Sequence, residues 1–361
     1  MTHLNAELIS AVASMAERVG IDTTTPAAGT DGALWAALTE AGFTEIGIPE
    51  AQGGSGGSTA DALSVVYAAA RHGALTMLLE HTMLASRLVA ECTGGPASHP
   101  ATLAIADDSC TVRDTGDGIV LHGIVSGVVH GSDAELLVVL LPAAGTGERP
   151  WVAIVPADAP GISVAVGSDL LGAALGDYHF DSTPVQLYRS PVGTTEIEER
   201  GALAYAVALT AAAGTVRDRT LRYAAERVQF GRPLAKFQAI QQRLAGLAAL
   251  TALMETATEA AEAADHSARR TAIAAAKVVT SASAREVAAA GHQIHGAIGF
   301  TSEHMLGRST TALWSWRNRY GSERYWSEIL AGQILDESVD PWALITSAES
   351  SRAAAAEGNS K

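Results

Sequence analysis

The chain has 361 residues, 48% of them hydrophobic, and a formal net charge of -15 at pH 7; that length accommodates one large core or two to three sub-domains. Its three lysines, Lys236, Lys277 and Lys361, provide no basic face to neutralise a phosphate backbone, which argues against a nucleic-acid partner. The two cysteines, Cys92 and Cys110, form neither a CxxC pair nor a metal-ligand cluster, which argues against a disulfide scaffold and fits a reducing cytoplasm.

The first residues, Met1 to Glu7, lack a cationic stretch followed by an apolar core, so no signal peptide is expected. From Ala6 to about Gly94 apolar residues recur at helical spacing, as in Leu34, Trp35 and Leu38 and again in Leu63, Val66 and Tyr67. A glycine-rich loop, Gly53 to Gly57, interrupts them. Between Ala101 and about Ser190 the texture changes to short β-branched runs, Gly118 to Leu121, Leu136 to Leu141 and Trp151 to Val155, separated by Asp-Gly and Pro-Gly turns. This segment reads as a small β domain.

From about Thr195 the helical period returns. Thr195-Glu196-Ile197-Glu198 reads as a capping box opening a helix, and the nearly uncharged stretch Gly201 to Gly214 is a buried helix, too short for the ~20 residues that span a bilayer. Breaks are expected near Gly231-Arg232-Pro233, Asp265-His266 and Gly296 to Gly299. The fold class that follows is α+β, mostly α: an N-terminal helical domain (1–97), a middle β domain (98–192), a C-terminal four-helix bundle (193–345) and a flexible tail (346–361).

Two segments stand out as chemistry. Arg227-Val228-Gln229-Phe230-Gly231-Arg232-Pro233 is followed by Gln238; farther on comes Gln293-Ile294-His295-Gly296-Ala297-Ile298-Gly299-Phe300. A lone arginine at a helix end is ordinarily a cap on the last carbonyls, and Gln293 alone would be a surface residue. Here each brings a planar polar side chain beside glycines, a combination suited to a diphosphate and an adenine. The histidines His81, His292, His295 and His304 have no metal-ligand spacing and no nearby nucleophile motif, so packing is expected for each and no metal site is expected. Trp314, Trp316, Tyr320, Tyr325 and Trp326 form an aromatic patch that suits either a core or a partner contact.

The two segments resemble the Arg-x-x-Phe-Gly and Gln-x-x-Gly-Gly-x-Gly motifs of the acyl-CoA dehydrogenase family, and the order helices, β domain, bundle is similar to that family over roughly the whole chain. The resemblance implies FAD as cofactor and an acyl-CoA thioester as substrate. It also implies that Arg227, Phe230, Gln238, Gln293 and Gly296 contact a flavin whose ring sits in a neighbouring subunit.

Other family landmarks are missing. Gly94 to Pro100 runs straight into the β domain without the Thr-Glu-Pro-x-Ala-Gly-Ser-Asp-like loop, and the Trp-Ile-Thr positions fall on Gly127, Val128 and Val129. The usual catalytic Glu-Gly pair lands on Tyr320-Gly321, and an alternative base position on Gly201. Glu323 is the fallback base, although a solvated helix face explains it as well. Taken together these implications describe a cytoplasmic partner subunit of an α2β2 heterotetrameric dehydrogenase. It would complete another subunit's FAD site without a base of its own and act on sterol-derived or other bulky acyl-CoA, with no membrane association. Two alternatives stay open: a self-sufficient homomeric enzyme using Glu323, and a non-enzymatic scaffold.

Overall fold

The computed structural model describes residues 4–335, apart from 22–24, 28, 144, 146–147 and 303, together with residue 342. The expected tail, 346–361, lies outside the described residues. Four helices come first, α1 (Ala6–Val19), α2 (Gly32–Glu40), α3 (Thr59–Arg71) and α4 (Ser86–Thr93), the last preceded by a π-helical stretch at Leu79–Ala85. Local chemistry starts them: the Asn5 side chain caps α1, and Ser58 with Asp61 forms a capping box on α3.

Eight strands follow: β1 (Ala101–Ile105), β2 (Thr111–Asp114), β3 (Ile119–Val129), β4 (Leu136–Leu141), β5 (Trp151–Pro156), β6 (Ile162–Ser168), β7 (Ala174–Pro184) and β8 (Gln186–Arg189). They make two four-stranded sheets, ordered β1-β4-β5-β8 and β2-β3-β7-β6. The β4 run Leu136–Leu141 is apolar almost throughout because its sheet is covered on both faces. Leu137, Val139 and Leu141 meet the second sheet, whereas Val138 and Leu140, with Val152 and Ile154 of β5, belong to the core shared with the N-terminal helices. In β3 burial alternates residue by residue from Leu121 to Ser126, as expected of a strand with one face in the sandwich, until the irregularity at Gly127.

The C-terminal part is built on α5 (Thr194–Glu226), a helix of 33 residues. Every residue from Glu199 to Val216 is buried, so this small-residue rod has neighbours on all sides. Around it pack α6 (Gln238–Ala263), α7 (Arg269–His295) and α8 (Leu306–Trp316), and α9 (Glu323–Leu335) lies against α7. The expected capping box at Thr195 does not form. The cap of α5 is Gly193, without a side-chain bond; Glu198 instead accepts from the Tyr325 hydroxyl and Glu199 from Arg270. The helix already begins at Thr194, so Thr195 lies inside it.

Candidate functional site

Arg227 is the C-cap of α5, its amide donating to the Tyr223 carbonyl. The chain then turns back through a hairpin of two-residue strands, β9 (Val228–Gln229) and β10 (Arg232–Pro233), paired Gln229 to Arg232 and Val228 to Pro233. Its corner is Phe230-Gly231, and both have positive φ, 51° and 78°, the sign pattern of a type I′ turn. A phenylalanine in that region is a strained exception, of the kind that clusters at functional sites. The corner thrusts the Phe230 ring outward, 91% exposed. Behind it Phe237 meets the ring edge-on at 6.2 Å, and the Arg232 guanidinium lies 4.2 Å over the Phe237 ring. Gln238 opens α6 and points to solvent.

The second segment closes α7. Gln293 is exposed on its last turn, and Gly296 takes φ 65° to leave the helix for a 3-10 turn, Gly296–Phe300. Phe300 is 74% exposed and stacks on His292, ring centroids 4.3 Å apart. The two segments meet through Tyr223 of α5 and His295 of α7, whose rings stack at 4.3 Å. Arg227, Phe230, Gln238, Gln293 and Gly296 are therefore all on the surface, and among the described residues the side chains of Arg227, Gln238 and Gln293 make no hydrogen bond. Together they present one permanent cation, two primary amides, a bare backbone at glycine and two open rings, and among the described residues these groups lie open to solvent.

A different picture holds where the three parts of the molecule meet. There lies a cavity of about 40 Å³, lined by Thr76, Leu79, Glu80, Val129, Tyr205 and Arg319 among others. It has room for a few waters, whereas ligand pockets commonly run to several hundred Å³. The buried Glu80 carboxyl accepts from the Tyr205 hydroxyl at 2.7 Å and from the Tyr320 hydroxyl at 3.2 Å. Those two rings stack with centroids 5.8 Å apart. Burial raises the Glu80 pKa, and the tyrosine bonds only partly offset it. Both phenols are pushed well above 10, chiefly by burial and secondly by the Glu80 charge. Beside the cavity, Arg319 pairs with Asp169 at 3.4 Å.

Of the wall positions, Gly127 sits at an irregularity in β3 with φ 67°, its amide donating to Asp177. Val128 is buried inside the sandwich, and Val129 alone of the three reaches the cavity. Glu323, the fallback base, is not among the cavity's lining residues. It is the first residue of α9, its carboxylate 3.2 Å from the Arg317 guanidinium. Glu80 and Tyr205 were not singled out from sequence; the available signal was one carboxylate inside the apolar run Leu75 to Leu84.

Among the described residues, no helix is long and apolar enough to cross a membrane and no group of three or more His, Cys, Asp or Glu side chains is arranged to hold a metal ion.

Residues 193–336 match the acyl-CoA dehydrogenase C-terminal domain family and residues 7–93 the acyl-CoA dehydrogenase N-terminal domain family. Acyl-CoA dehydrogenase FadE27 of Mycobacterium tuberculosis (strain ATCC 25618 / H37Rv) is 30% identical over 309 residues, covering 77% of this chain and 81% of that protein. Among solved structures, the ChsE4-ChsE5 complex from Mycobacterium tuberculosis matches with TM-score 0.78 at 22% identity, over 91% of this chain and 96% of the matched chain. A variant of the Tcur3481-Tcur3483 steroid ACAD matches with TM-score 0.73 at 23% identity, over 92% and 96%. These structural likenesses are likenesses of fold.

Proposed function

The chain belongs to the acyl-CoA dehydrogenase family, an oxidoreductase family that depends on FAD, and on that premise we propose that it is the partner subunit of a heteromeric enzyme. In this reading it completes the FAD site of a second, dehydrogenase-like subunit and contributes no catalytic base. The supporting observation is a contrast: five nucleotide-contacting candidates are open to solvent on one end of the bundle, while the cavity at the domain junction is nearly filled.

The residues fit one half of the cofactor and not the other. Arg227 would hold the diphosphate through a planar, permanently charged fork, Phe230 would stack against or wall the adenine, and Gln238, Gln293 and the bare backbone at Gly296 would supply polar contacts. For the redox-active ring there is no aromatic wall and no hydroxyl at Gly127, Val128 and Val129, and about 40 Å³ does not admit it. FAD, when bound, supplies the hydride-accepting ring; in this assignment ring, acyl pocket and base belong to the partner. The likeness to a steroid ACAD supports a sterol-derived or other bulky acyl-CoA as the substrate of the assembly, and the likeness to the ChsE4-ChsE5 complex supports assembly with a second subunit. A reducing cytoplasm suits the two free cysteines.

The experiment is to purify the chain alone and together with its dehydrogenase-like partner, and to record the visible spectrum and mass of each. Flavin bands only in the mixed complex, at one flavin per pair of unlike subunits, are the expected result. A yellow homo-oligomer with one flavin per chain would sink the reading.

A further inference from the structure

Arg227 and Gln293 sit on different helices, so the distance between guanidinium and amide depends on how α5 and α7 are locked together. Along most of their length the buried residues of both helices are mainly small, many of them alanine. At the end that carries the candidate site the contact changes character. Tyr223 lies over His295 with centroids 4.3 Å apart and planes 21° from parallel, and its hydroxyl donates to the His295 carbonyl oxygen at 3.3 Å. The imidazole is fixed in turn by a 2.8 Å bond between Nδ1 and the Gly291 carbonyl oxygen. One turn earlier, His292 stacks on Phe300 and bonds the Thr310 hydroxyl of α8 at 2.9 Å. Two stacked pairs, each with a histidine of α7 as one member, occupy this single turn. Arg227 follows Tyr223 by one helical turn, and Gln293 and Gly296 flank His295. A slip or rotation of either helix would move the guanidinium relative to the amide, and the stack opposes both.

We propose that the Tyr223–His295 stack is a positioning clamp that sets the spacing of the Arg227 and Gln293 side chains and thereby the affinity for the nucleotide half of FAD. This rests on the partner-subunit reading. In this role Tyr223 and His295 act through the residues they hold, since pre-ordering of contact groups lowers the cost of binding.

The test uses the co-purified complex and reads FAD affinity from the fluorescence of released flavin. Tyr223→Leu keeps helix propensity and removes the stack; Tyr223→Phe keeps the stack and removes the hydroxyl; Arg227→Ala removes a direct contact. The clamp predicts about tenfold weaker FAD binding in Tyr223→Leu, a change within about twofold in Tyr223→Phe, and turnover restored in Tyr223→Leu by saturating FAD. Normal affinity in Tyr223→Leu with weakened binding in Arg227→Ala would overturn the clamp and leave the partner-subunit reading standing. Normal affinity in both would remove that reading, and the clamp with it. Equal losses in Tyr223→Leu and Tyr223→Phe would also overturn it, because the hydroxyl rather than the stack would then carry the effect. If Tyr223→Leu does not assemble, Tyr223→Met is judged by the same outcomes.

Discussion

The ring of Tyr320 stands in the space that a side chain at residue 201 would occupy: a β-carbon added to Gly201 would collide with it. The two positions onto which the resemblance maps a base are thus a single packed contact, with a tyrosine on one side and no side chain on the other. Gly201→Ala should cost about 1–3 kcal/mol, as overpacking does in a rigid core. The penalty should largely vanish in a Tyr320→Ala background, which chemical denaturation of all four variants can measure. Strictly additive losses would show that the two residues do not sense each other.

Glu80 carries a pH signature of defined sign. Its folded pKa lies above the ordinary 4.5 because burial penalises the charge. Its contribution is fully present below 4.5 and is lost as pH rises through the folded value. Relative to Glu80→Gln, which keeps one acceptor oxygen, turns the other into an amide donor and does not ionise, the wild-type protein should lose stability as the pH climbs above that range. Urea midpoints for the pair, measured from pH 4 upward, decide the matter; parallel curves would show that Glu80 titrates normally.

Lys277 should do the opposite. It is fully buried, its ammonium donating to the Arg317 carbonyl oxygen at the end of α8 at 2.8 Å, and burial with the nearby Arg317 charge lowers its pKa from 10.5 to about 7. Between those values the unfolded chain binds the extra proton, so stability rises with pH across that window. In Lys277→Met that rise should flatten, which thermal melts from pH 6 to 10 would reveal. A wild-type slope unchanged by the substitution would place the titration elsewhere.

Glu323 gives the kinetic test. As a half-buried ion pair with Arg317 it should contribute about 1 kcal/mol to stability, and Glu323→Gln should leave turnover of the complex nearly unchanged. A dead variant with normal assembly and flavin content would restore it as the base and favour a self-sufficient enzyme.

Arg227→Ala, by contrast, should strip flavin from the complex. A charged hydrogen bond of this kind contributes about 1.5–3 kcal/mol, or roughly one to two orders of magnitude in flavin affinity. Flavin content unaffected by the change would instead favour a scaffold without cofactor.

Much of this architecture can be read from the chain because it is local. The breaks expected at Gly231-Arg232-Pro233, Asp265-His266 and Gly296 to Gly299 coincide with the ends of α5, α6 and α7, where hairpin chemistry and glycine backbone freedom outweigh helical period. The switch from helical spacing to β-branched runs marks where the strands begin. The Glu80 cluster is illegible for the complementary reason. Its carboxyl meets hydroxyls 125 and 240 positions away, and no periodicity reports which distant groups share a cavity. Thr195 fails differently: the pattern for a cap is present, but the helix already begins at Thr194, with Gly193 as its cap, and Glu198 accepts from Tyr325 instead.

The hairpin corner that exposes Phe230 has a consequence for the life of the chain before assembly. If the chain is a partner subunit as proposed, a copy without its partner carries this ring and that of Phe300 bare in water, exposed apolar surface of the kind that marks an interaction site. Orphan copies should therefore turn over faster than assembled ones, and pulse-chase decay with and without the second gene would measure it. The same few atoms suited to gripping a nucleotide would then also keep the two polypeptides in equal supply.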